Sequence, residues 1–202
     1  MPVDYLVAGL GNPGSEYIRS PHNAGVEVAE RVRAACGGPR FSLKGQAALS
    51  LCRWRGSSVL VLKPHAFMNL SGVEVARYVR KESVPLERLI VCYDDLDLPL
   101  GQVRMRASGG AAGHHGMESI LEHLGSGGFS RVRLGIKDPA ISKDEHVDYL
   151  LSPFPEEEWS VLEGACEAAA KAVLDAVHLG WVKAMNLHNR RMSPSEESDK
   201  KM

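Results

Sequence analysis

The chain has 202 residues, 44% hydrophobic and 24% charged, with a net charge of -1 at pH 7; this fits one soluble globular domain with a core of fair size and argues against a strongly basic nucleic-acid protein. No apolar run approaches the ~20 residues of a membrane span, and no basic leader precedes the apolar stretch of "MPVDYLVAG", so a cytoplasmic protein is expected. Cys36, Cys52, Cys92 and Cys166 form no Cys-x-x-Cys pair, which favours reduced, mostly buried thiols over zinc or a disulfide framework.

In chain order, "DYLVAG" reads as a buried strand and runs directly into "GLGNPG" at positions 9–14. That Gly-x-Gly-x-x-Gly spacing matches a pyrophosphate-binding loop, but Pro13 has no N–H and the helical pattern waits until about residue 22, so the glycines are assigned to a tight turn. Residues 22–35 place Val26, Ala29 and Val32 at helical spacing. "SSVLVLK" is a second buried strand, and Ser71 with Glu74 has the spacing of a capping box opening the next helix. "RLIVCY" is a third strand. "QVRMR" and "RVRLGI" alternate at strand period, with one short helix, "HHGMESILEHL", between them. A long helix follows Pro155, a last helix lies near "WVKAMNLHN", and residues 191–202 read as a disordered tail after a domain spanning 1–190. Strands alternating with helices predict an α/β three-layer sandwich: a mixed, largely parallel twisted sheet flanked by helices.

Ligands in such sheets gather beyond the carboxyl ends of the strands. Three loops are expected there: "GNPG", "MNLSG" and "DDLDLP". They bring Asn12, His22, Asn69 and the aspartates 94, 95 and 97 within reach of one cleft. A histidine backed by a carboxylate activates water, and side-chain amides bind a carbonyl or its oxyanion, so metal-free ester or amide hydrolysis is a plausible chemistry. Plainer roles fit the same residues: His22 as a helix cap, Asn69 in a turn, the aspartates as a strand terminator or a Mg²⁺ site. No Gly-x-Ser-x-Gly elbow and no His-x-x-x-His pair occurs.

Charge is divided along the chain. Residues 1–137 carry 17 basic and 12 acidic side chains, residues 138–202 carry 7 and 13, so a polyanion should meet the first part. Arg104 with Arg106 and Arg131 with Arg133 each share a strand face, suited either to a charged sheet edge or to phosphate contact.

Several segments in register, "GLGNPGSEY", "HNAG", "KPHAFMNLSG", "DDLDLPLG", "GGAAGHHGMESI" and "RVRLGI", resemble the bacterial peptidyl-tRNA hydrolase family of monomeric esterases. The resemblance implies hydrolysis of the ester joining a peptide to the 3′ end of tRNA, with no cofactor or metal. It assigns His22 as general base and Asp94 as its orienter, and it puts Asn12 and Asn69 on the substrate carbonyl. It places Tyr17, Phe67 and Met68 along the cleft, His114 at its rim, and Arg104, Arg106 and Arg133 on the tRNA phosphates. His115 stands where the family usually has asparagine, Ala66 where a hydroxyl or a larger side chain is common, and Pro21 where arginine is frequent. Organellar relatives that bind RNA without hydrolysis supply the alternative reading.

Overall fold

The computed structural model describes residues 2–189, so the expected tail at 191–202 lies outside the described residues. Seven strands, β1 (Tyr5–Gly9), β2 (Ser42–Lys44), β3 (Ala47–Trp54), β4 (Ser57–Pro64), β5 (Leu89–Pro99), β6 (Val103–Arg106) and β7 (Ser130–Lys137), form one sheet in the order β2-β3-β4-β1-β5-β7-β6. The four central strands β4, β1, β5 and β7 are parallel. At one side β3 pairs antiparallel with β4 and β2 with β3; at the other, β6 pairs antiparallel with β7.

Strands β1 and β4 and the first half of β5 are apolar on both faces, which requires cover on both. Val7 of β1 points toward α1 (Ala24–Ala35) and α5 (Glu156–Leu179), in a core that also takes in α6 (Trp181–His188) through Ala184. Its neighbours Leu6 and Ala8 point the other way, toward α2 (Ser71–Lys81) and α3 (His115–Leu124). The expected mixed-sheet sandwich is the observed fold. No helix of the described residues is long and apolar enough to cross a membrane.

Several local expectations change. Residues 21–23 form a 3-10 turn before α1 begins at Ala24. The buried face of α1 is Ala24, Gly25, Val28, Ala29 and Val32, while Val26 is half-buried. Small residues matter here because the helix start lies directly on the backbone of β1 and β5. A Cβ on Gly9 would lie 2.2 Å from the Gly25 carbonyl oxygen, and one on Gly25 would lie 2.2 Å from that of Cys92.

The Ser71–Glu74 capping box does not form. Ser71 is the first residue of α2, its hydroxyl faces the Met68 sulfur at 3.8 Å, and Glu74 pairs with Arg77 at 3.4 Å. The helix start is packed against α3, and the Ser119 hydroxyl accepts the Gly72 N–H at 3.1 Å, so the cap comes from a tertiary neighbour. A capping box occurs instead at Ser142 and Glu145, before the short helix α4 (His146–Leu151).

"DDLDLP" is strand and not loop: β5 continues to Pro99 with a register shift between Asp95 and Pro99. Gly135 of β7 permits this, since a Cβ there would meet the Pro99 carbonyl oxygen at 2.0 Å. The β2–β3 hairpin was not expected from the sequence. Its β3 strand buries Ser50 and Cys52 on one face and Ala47 on the other while Leu51 is exposed, which hides the usual apolar alternation.

Candidate active site

The ends of β1 and β4, the body of β5 and the start of α3 surround a cleft of about 640 Å³. Asn12 follows β1, His22 sits in the 3-10 turn before α1, Met68 and Asn69 lie in a 3-10 turn after β4, and Asp94 is on β5. His114 is the N-cap of α3. All six line the cleft.

Asp94 is 2% exposed and receives both histidines. His22 Nδ1 lies 3.0 and 2.9 Å from its two oxygens, and His114 Nε2 lies 3.1 Å from Oδ1. The tautomers follow from the surroundings. The Met117 backbone N–H donates to His114 Nδ1 at 3.2 Å, so the proton of a neutral His114 ring is on Nε2 and points at Asp94. His22 likewise donates from Nδ1, which leaves its Nε2 lone pair for the cleft. Burial disfavours the His22 imidazolium, but the charge and hydrogen bonds of Asp94 outweigh this and its pKa is raised. Burial also opposes ionisation of Asp94, yet the two histidines reverse the balance and hold its carboxyl far below the ordinary range.

His22, Asp94 and His114 are close enough to ligate one ion, their donor atoms lying within 4.8 Å of one another. Their hydrogen-bonding pattern is a poor match for it. His114 would have to present a lone pair at Nε2, and the Met117 N–H facing Nδ1 disfavours that tautomer. The three aspartates of the motif also diverge: Asp94 faces the histidines, while Asp95 pairs with the Arg133 Nε and accepts the Asp97 N–H at 2.8 Å.

Asn12 is held at three points. Its Oδ1 accepts the Met68 N–H at 2.8 Å, which leaves the NH₂ as the end free for a ligand among the described residues. Its backbone N–H donates to Asn23 Oδ1 at 2.7 Å, and Asn23 Nδ2 donates back to its carbonyl at 3.1 Å. Asn23 thus locks the turn carrying His22 to the loop carrying Asn12. The sequence reading gave it no role, although a buried amide directly after His22 was a visible signal.

Phe67 is 61% exposed on one wall and faces Val147 and Leu150 of α4 on the other, an apolar contribution the sequence reading did not anticipate. His115 is exposed at the rim, with Nδ1 3.0 Å from Glu118, and leaves the Asp94 network untouched. Tyr17 is not among the cleft-lining residues; it belongs to a separate 3-10 turn at 15–17.

In register, Arg104 opposes Arg133 and Arg106 opposes Arg131, so all four arginines start from one face of the β6–β7 pair. Their environments differ sharply. Arg133 is paired with Asp95, Arg131 is 1% exposed, and only Arg104 and Arg106 lack a partner among the described residues. The expectation that the Arg131–Arg133 pair shares an exposed phosphate face is therefore corrected for Arg131, because its side chain is enclosed.

A family model described as peptidyl-tRNA hydrolase matches residues 6–197. The peptidyl-tRNA hydrolase of Carboxydothermus hydrogenoformans is 42% identical over 186 residues, covering 92% of this chain and 98% of that protein. That of Listeria monocytogenes is 35% identical, with 92% and 99% covered. The crystal structure of peptidyl-tRNA hydrolase from Acinetobacter baumannii has a TM-score of 0.86 at 31% identity, covering 94% of this chain and 96% of that one. The 5'-methylthioadenosine nucleosidase of Arabidopsis thaliana, 10% identical with a TM-score of 0.50 over 95% of this chain and 98% of that one, shares the fold alone. With the match running through the strands, turns and helix start that build the cleft, the chain belongs to the peptidyl-tRNA hydrolase family.

Proposed function

We propose that the protein hydrolyses the ester between the peptide and the 3′ end of tRNA in peptidyl-tRNA, with His22 as general base. The observation that carries the residue roles is the pair of His22 Nδ1–Asp94 contacts at 3.0 and 2.9 Å, which leaves Nε2 unprotonated toward the cleft. Nε2 takes a proton from water as its oxygen attacks the ester carbonyl. The Asn12 NH₂, assisted by Asn69, donates to the oxyanion that forms. On collapse the ribose oxygen of tRNA leaves and takes the proton back from His22, so no other proton source is needed. Asp94 stays ionised throughout and stabilises the transient imidazolium.

Phe67, Met68 and the α4 wall take the peptide and terminal adenosine, with Tyr17 and His115 at the periphery. Arg104, Arg106 and Arg133 meet the acceptor-stem phosphates, Arg133 by exchanging Asp95 for phosphate. The protein acts as a monomer in the cytoplasm. A catalytically silent RNA-binding role is not favoured, because His22 is bonded to Asp94 and Asn12 and Asn69 line the same cleft.

Purified protein incubated with diacetyl-lysyl-tRNA should release free tRNA over time; failure to turn over would overturn the reading. Arg104→Ala and Arg106→Ala should each raise KM and reduce the slope of log(kcat/KM) against log[salt] by about one per lost phosphate contact. An unchanged slope in both variants would remove the phosphate assignment and leave the hydrolytic one standing.

A further inference from the structure

Arg131 is the largest fully buried side chain and makes no ion pair among the described residues. Its guanidinium donates instead to backbone carbonyls: Nη1 to Gly110, Nη2 to Gly109 and, at 3.4 Å, to Gly127. It lies over the Phe129 ring at 4.6 Å from the centroid, and its Nε has no hydrogen-bond partner among the described residues. Burying a cation without a carboxylate is unfavourable, and apolar replacements of buried charges are often neutral or stabilising. Core stability alone therefore does not account for this residue.

The carbonyls it holds open the segment that forms the rim of the cleft. Ala111, Ala112 and Gly113 line the cleft, and Ala112 sits at φ 51, a left-handed conformation that is strained for alanine. The segment ends where the His114 N–H donates to the Ala111 carbonyl at 3.0 Å. A second route runs through Tyr93, which lies within electrostatic reach of Arg131 and packs its ring edge-on against His114 with centroids 5.0 Å apart. Both routes end on the ring whose Nε2 donates to Asp94.

We propose that Arg131 is a positioning residue of the hydrolytic centre: by clamping the Gly109 and Gly110 carbonyls it holds the strained rim segment, and through it His114, against Asp94. Arg131 touches neither water nor tRNA. This rests on the reading of His22 as the general base and Asp94 as its orienter, to which His114 is hydrogen-bonded.

The test compares wild type, Arg131→Met, Arg131→Lys and Gly127→Ala on diacetyl-lysyl-tRNA across pH and salt, with His22→Ala as control. Gly127→Ala keeps the Arg131 side chain but pushes on the clamp, since the new Cβ would lie 2.8 Å from the Gly109 carbonyl oxygen and 3.3 Å from Arg131 Nη2. For Arg131→Met and Gly127→Ala, kcat should fall about tenfold or more with KM and its salt dependence unchanged. Arg131→Lys should recover part of the loss by keeping the cation on one carbonyl. In each impaired variant the acidic limb of the kcat–pH profile should move to higher pH, because Asp94 relieved of the His114 hydrogen bond holds the His22 imidazolium more strongly. Wild-type kcat with an unmoved limb and only a lower Tm would overturn the proposal, as would a raised KM with a flattened salt slope. Should Arg131→Met not fold, Gly127→Ala decides by the same readouts. An inactive His22→Ala beside fully active Arg131 variants sinks this inference alone, whereas an active His22→Ala sinks the catalytic reading beneath it.

Discussion

Replacing His22 with alanine is expected to lower kcat on diacetyl-lysyl-tRNA by about a hundredfold or more, with a much smaller change in KM. His22 is 7% exposed, and its Nδ1 is committed to Asp94, so in the proposed mechanism Nε2 is the nitrogen left to take the water proton. Removing it takes away the acceptor for the water proton and the donor for the departing ribose oxygen. The oxyanion donors and the apolar walls remain, so substrate should still bind and residual turnover should exceed the uncatalysed rate. Because the Met68 N–H and Asn23 hold Asn12 independently of the ring, the oxyanion site should stay formed in the variant. Turnover at the wild-type rate would show that the base lies elsewhere.

Asp94→Asn should cost at least about a hundredfold in kcat, through the tautomer of His22 and not through loss of either ring. Both histidines present N–H groups to the carboxylate, and an asparagine replaces one acceptor oxygen with a donor. His114 resists changing its tautomer, because the Met117 N–H occupies its Nδ1. With NH₂ at the Oδ1 position it opposes both rings; at the Oδ2 position it faces the His22 N–H at 2.9 Å. His22 is the ring able to adapt, and it does so by moving its proton to Nε2, which ends its service as a base.

The pH dependence should report the same event. His22 works as a base only when neutral, above its pKa, and Asp94 raises that pKa in the native protein against the opposing effect of burial. Loss of the negative charge lowers it, so the acidic limb of the residual kcat/KM profile should move to lower pH. The Arg131 variants should move it in the opposite direction, so the two effects can be separated in one set of titrations. An Asp94→Asn enzyme with near-native turnover, or with its limb unmoved, would contradict the role given to the carboxylate.

How far the sequence reaches depends on how local the cause is. The β1, β4 and β5 runs are apolar throughout because both faces are covered, and that pattern is visible before any packing is known. The edge hairpin escaped because its buried positions are small or polar, Ser50 and Cys52 on one face and Ala47 on the other, while Leu51 is exposed, leaving no apolar alternation to detect. The apparent capping box at Ser71 misled for a related reason. Residue types record which hydrogen bonds are possible, but the nearby Ser119 hydroxyl decides which one is made.

Within the cleft, the sequence by itself determined the cast: a histidine after the first strand, a carboxylate directly after the third apolar run, and amides in two strand-end turns. It also determined that "GLGNPG" is no pyrophosphate loop, since Pro13 lacks the needed N–H. Only the tertiary structure decided what each of these touches. Two glycines let α1 sit on the backbone of β1 and β5, which brings His22 to Asp94 from 72 positions away in the chain. The Met117 N–H chooses the His114 tautomer, and Asn23 aims Asn12. Four arginines with the same strand spacing become an enclosed guanidinium on backbone carbonyls, an ion pair and two cations without a partner among the described residues. The physical reason is that a spacing specifies the direction in which a side chain leaves the backbone, whereas its protonation, tautomer and partner depend on the dielectric and the donors around it, and distant parts of the chain supply those.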